Sequence, residues 1–107
     1  MNNTLLKGIC EELEFDVEIG DYRVVSSAFD EGRMNLTITD CDNEFDSITA
    51  DVRIGKLKDS GLICTSVTYK KNCWNDTYAT YGELIDSIPG VIKFLKDCAI
   101  KIIKTLN

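Results

Sequence analysis

The chain has no histidine, one proline and one tryptophan in its 107 residues. The missing histidine removes the side chain that most often carries acid–base work near neutral pH. The usual nucleophile–histidine pairs and the Cys/His spacings of zinc sites go with it. No apolar run reaches the roughly 18 residues that a membrane-spanning helix requires. Met1–Lys7 holds no basic stretch followed by an apolar one, so no secretory signal is read there and a cytoplasmic location is expected. Bases are scarce over a long interval. Between Glu11 and Asp51 stand thirteen acids against only Arg23 and Arg33, a net of −11, while the whole chain carries −6. Such a field disfavours direct contact with nucleic acid or anionic membrane, and it attracts a protein partner with a basic surface.

What is present is ordinary for one globular domain of residues 1–107: 44% apolar and 28% charged residues, enough to close a core without staples. The five cysteines (Cys10, Cys41, Cys64, Cys73 and Cys98) are odd in number and form no Cys-x-x-Cys pair. Cys10, Cys64 and Cys98 fall within apolar patterns and read as small core residues, reduced in a cytosolic setting. Asn-x-Ser/Thr triplets at Asn2, Asn35 and Asn75 read as chance in a chain with no secretion signal.

Periodicity divides the chain. Leu5, Leu6, Ile9, Cys10 and Leu13 recur at helical spacing and predict a helix over about 4–13. From Leu13 to Ile19 the period drops to two, the mark of a half-buried strand, and Gly20-Asp21 offers a tight turn into a second strand, Tyr22–Phe29. Asp30-Glu31-Gly32-Arg33 is turn chemistry, as is Asp40–Glu44. Alternation over Met34–Thr39 and Ile48–Ile54, then the β-formers of Leu62–Tyr69, complete five strands.

In the last third, Leu84, Ile88, Val91, Leu95, Cys98, Ile102 and Leu106 lie three or four apart. They predict helix, opened by a capping box of Thr80 and Glu83, and Pro89 predicts a kink or break. The expectation is a short helix over about 81–87 and a longer one over about 89–105, with Lys93, Lys96, Asp97, Lys101 and Lys104 on the solvent arc. Short connections imply antiparallel neighbours. The fold class is α+β: an antiparallel meander of four to five strands, with an N-terminal helix and a kinked C-terminal helix on one face. The other face, with Asn35, Thr37, Thr39, Thr49, Asp51 and Arg53, is expected to be wet.

No stretch carries a catalytic motif. Asp40, Asp42, Glu44, Asp46 and Asp51 approach the offsets of a calcium loop. Phe45, however, stands where that loop needs glycine for its sharp turn, so no metal is expected. Gly55–Gly61 lacks the Gly-Lys-Ser/Thr order of a phosphate-binding loop, and no cofactor is expected. Trp74, within a polar stretch, reads either as a lid on the end of the core or as an exposed interface anchor.

An acidic surface first of all keeps a protein soluble. The sharper reading takes Glu14, Asp16, Glu18, Asp30, Glu31, Asp40, Asp42, Glu44, Asp46 and Asp51, with Trp74, as the partner-binding set. In size, acidity, a sheet with helices and the lack of a catalytic motif, the chain resembles the small acidic inhibitors of phages and mobile elements, the anti-CRISPR and anti-restriction proteins. The resemblance is one of type and assigns no residue a role. It implies a non-enzymatic inhibitor that imitates the phosphate track of a nucleic acid and blocks a nucleic-acid-handling host protein such as a CRISPR effector. Alternatives from other classes are an immunity protein or adaptor binding one partner through a mixed surface including Trp74, a small phage assembly component, and an enzyme using carboxylates. Whether the chain is a monomer or a homodimer is left open by the sequence.

Overall fold

The computed structural model describes residues 3–72 and 77–106; the side chains of residues 3, 4, 44–46, 70–72, 77 and 78 lie outside that description. A helix, α1 (Asn3–Glu12), is followed by six strands: β1 (Phe15–Ile19), β2 (Tyr22–Asp30), β3 (Arg33–Asp40), β4 (Asn43–Lys56), β5 (Ile63–Asn72) and β6 (Thr77–Ile85). A second helix, α2 (Ile88–Leu106), closes the described chain. The strands form one antiparallel sheet in sequential order, β1-β2-β3-β4-β5-β6. The class and the meander agree with the sequence reading; the strand count is six where four to five were expected.

Two-residue turns set the register. Ile19 pairs Tyr22 across Gly20-Asp21, Asp30 pairs Arg33 across Glu31-Gly32, and Asp40 pairs Asn43 across Cys41-Asp42. Because side chains alternate along a strand, this register sends Val24, Met34, Leu36, Ile38, Ala50 and Val52 to one face. All six are fully or almost fully buried. Ile9, Cys10 and Leu13 of α1, and Val91, Leu95, Cys98, Ala99 and Ile102 of α2, join the same core. Near the end of α2, the hydroxyls of Tyr69 and Thr105 lie 3.0 Å apart, and Thr105 Oγ1 donates to the Ile102 carbonyl at 2.7 Å.

The short helix expected over 81–87 does not form. Those residues belong to β6 and its exit, and Thr80 and Glu83 pair across the ladder with Thr68 and Thr65 instead of capping a helix. The four-residue gap from Leu84 to Ile88 imitates helical spacing, yet it straddles a change of period. Tyr81 and Ile85 pack against the core on one side of the strand while Leu84 stands exposed on the other. The single helix starts at Ile88. Ser87 Oγ accepts the Gly90 N–H at 3.1 Å, and Ser87 O accepts the Val91 N–H at 3.1 Å, the bonding of an N-cap. Pro89 therefore stands in the first turn, where its missing N–H costs nothing, and produces no kink. Cys64 also departs from expectation. It is exposed on the open face, because its neighbours Ile63 and Thr65 take the buried positions.

Candidate functional site

The open face of the sheet is polar, as alternation demands. Asn35, Thr37, Thr39 and Asp51 are half-exposed, and Thr49 and Arg53 are exposed. Hydroxyls meet across strands, Thr39 with Ser47 at 3.3 Å and Thr68 with Thr80 at 3.4 Å. Asp16 and Glu18 join this face from β1, since Phe15, Val17 and Ile19 take the core side.

The hairpin topology concentrates the acids at the β1 side of the sheet. Beyond one end of β2 lie Glu11 and Glu14, which share a shallow groove with Lys7, Asp30 and Glu31. There Glu14 Oε2 accepts the Ala28 N–H at 3.0 Å, and Asp30 Oδ1 accepts the Glu31 N–H at 2.8 Å. At the other end the β1–β2 and β3–β4 turns are tied together: the Cys41 N–H donates to the Asp21 carbonyl at 2.9 Å, and the Asp42 N–H to Asp40 Oδ1 at 2.9 Å. Local desolvation raises the Cys41 thiol, and the negative fields of Glu18, Asp40, Asp42 and Asp21 push it further up. Four carboxylates separated by up to 24 positions therefore act on one thiol.

The two acidic ends are the length of β2 apart, about 27 Å for nine residues. Asp16 lies between them. Arg23 clamps it, Nε donating to Oδ1 at 2.9 Å and Nη2 to Oδ2, and this guanidinium holds the Asp16 carboxyl below its ordinary range.

The structure thus brings together Glu14, Asp30 and Glu31 at one end, and Glu18, Asp40 and Asp42 at the other. Asp51 stands apart on β4, its carboxylate 3.4 Å from Arg53. The side chains of Glu44 and Asp46, and the whole of Trp74, fall outside the described residues. Asp21 and Glu11 join these two ends although neither belongs to the binding set read from the sequence. Asp21 reads there as turn chemistry, and only the pairing of two hairpin ends shows that this turn faces Asp40 and Asp42. Among the described residues no group of three or more His, Cys, Asp or Glu side chains has a metal-holding arrangement. No helix among them is long and apolar enough to cross a membrane.

The lysines of α2 do not form one uniform solvent face. Lys96 is half-buried, with its Nζ 5.5 Å from the Phe15 ring centroid; Lys101 lies 5.0 Å from that of Tyr81, and Lys93 pairs with Asp97 at 3.0 Å. Stems laid along aromatic rings place these cations partly in the service of packing.

No family model matches the chain, and no match is found among curated proteins or solved structures.

Proposed function

We propose that this chain is a non-catalytic binding protein whose acidic rim, along β1 and the two hairpin ends beside it, occupies a basic groove built for nucleic acid. The proposed partner is a nucleic-acid-handling protein of the host in which a phage or mobile element carries such an inhibitor. The observation that carries the reading is the convergence of Glu18, Asp21, Asp40 and Asp42 around Cys41. Like charges held this close repel one another, and a cationic partner relieves the repulsion. The rim continues through Asp16 to Glu14, Asp30 and Glu31 over about 27 Å, a length suited to a groove.

The test is capture from a bacterial lysate on immobilised protein, with mass-spectrometric identification and with duplex DNA as competitor. The reading predicts that the captured protein handles nucleic acid and that added DNA displaces it. It also predicts that a bait carrying Glu18→Gln, Asp21→Asn, Asp40→Asn and Asp42→Asn does not retain it. A partner kept by that bait, or indifferent to DNA, contradicts the reading.

A further inference from the structure

The two edges of the sheet are unequal. β1 is five residues long and carries Asp16 and Glu18, and short charged edges resist pairing with other strands. β6 is nine residues long, TYATYGELI, with no proline and no lysine and with Glu83 as its single charge. It pairs with β5 from Ile63↔Ile85 to Asn72↔Thr77 and ends the sheet on its other side. Along such a strand, alternate N–H and C=O groups point away from the neighbour, and another extended backbone is the group that matches them.

We propose that β6 pairs antiparallel with β6 of a second copy of this chain, about a two-fold axis through Tyr81, joining two sheets into one of twelve strands. Three features select a second copy as the occupant. The first is the register. With Tyr81 at the centre, Thr80 falls opposite Gly82 and Ala79 opposite Glu83, so neither glutamate faces the other. Both α2 helices then lie on the same side of the joined sheet. The second is charge. The copies are alike and net negative, but the acidic rim runs from β1, five strand spacings or about 24 Å from β6, to the β3–β4 turn, more than two spacings or about 12 Å from it. Both exceed the screening length of about 10 Å at 0.1 M salt, so the rims do not oppose association at this edge. Near β6 itself, Lys101 over the Tyr81 ring offsets Glu83. The third is composition. Threonine and tyrosine at the edge favour cross-strand contact, and Leu84 is 52% exposed on the open face.

The pairing is independent of the acidic rim, none of whose residues lies on β6. It leaves the two β1 strands at opposite edges of one sheet, eleven spacings or about 53 Å apart.

Light scattering across a concentration series, together with amide hydrogen exchange of the unmodified protein, tests the pairing. The expected result is a mass twice the 12.0 kDa of the chain. On dilution, alternate amides between Ala79 and Leu84 should lose protection while their neighbours, bonded to β5, keep it. A charge swap tests the register. Thr80 is exposed on the open face, and the two copies' Thr80 side chains are diagonal neighbours across the axis. Thr80→Lys and Thr80→Glu should each weaken association roughly fivefold, and an equimolar mixture of the two should recover it. A protein that is monomeric at every concentration overturns the proposal, as does a dimer whose concentration-dependent protection lies outside β6. A dimer untouched by both Thr80 substitutions overturns it equally.

Discussion

Gly32 is the most constrained position in the β2–β3 hairpin. Its φ is +70°, it is buried, and its carbonyl accepts the Ile54 N–H at 2.8 Å. A Cβ built there meets the Ile54 carbonyl oxygen at 2.6 Å, a backbone atom that cannot move aside cheaply. Gly32→Ala combines this clash with a left-handed backbone and should destabilise by about 1–3 kcal/mol in denaturant titration. The buried thiols supply a second test at this scale. Burial pushes Cys98 from its ordinary 9.0 up to about 11, and burial raises Cys10 as well. Between these values the unfolded thiol releases its proton and the folded thiol keeps it. The unfolded state then binds fewer protons, so the contribution of the thiols should be level below pH 8 and fall as pH rises from about 9 toward 11. Thermal melts of Cys98→Ala should show a shallower alkaline decline than those of the unmodified protein.

Among the elements, two leucines that belong to the same sequence stripe separate in the fold. Leu95, on α2, is fully buried against the sheet; Leu84, on β6, is 52% exposed. Leu95→Ala should cost about 2–5 kcal/mol and Leu84→Ala about 0.5 kcal/mol or less, measured by urea unfolding. The contrast also locates where the sequence was legible. β1 to β4 alternate cleanly between core and solvent, and their turns carry Gly-Asp, Glu-Gly and Asp-flanked pairs, so local chemistry and tertiary pairing agree. From Thr77 onward they diverge. The same residues satisfy both a capping box and a strand pattern, and the choice falls to β5, whose free edge pairs with them. Pro89 reads as a breaker from spacing alone; only the Ser87 cap shows that it stands where a helix tolerates it. The convergence of Asp21 with Asp40 and Asp42 was likewise hidden, since it depends on two hairpin ends lying side by side.

Across the whole molecule, charge is sorted by position in the sheet. The acids border β1 and the hairpin ends beside it, α2 lays Lys96 over Phe15 of β1 and Lys101 over Tyr81 of β6, and the open face of the sheet is lined with hydroxyls. The excess of acid was visible in the sequence as a count; its collection into a rim is a product of the meander, which returns residues 14–18, 30–31 and 40–42 to one side. The central claim is that this rim, and not the lysines, meets the partner. Its most direct measurement is the association rate of the captured partner as salt is raised from about 0.05 to 0.5 M, a range over which the screening length falls well below the length of the rim. The account predicts a steep fall for the unmodified protein and a slower, flatter profile for the variant with Glu18, Asp21, Asp40 and Asp42 neutralised. Replacement of Lys93, Lys96, Lys101 and Lys104 by Gln should leave that profile nearly unchanged. A rate indifferent to salt, kept by the acid variant and lost with the lysines, would contradict it.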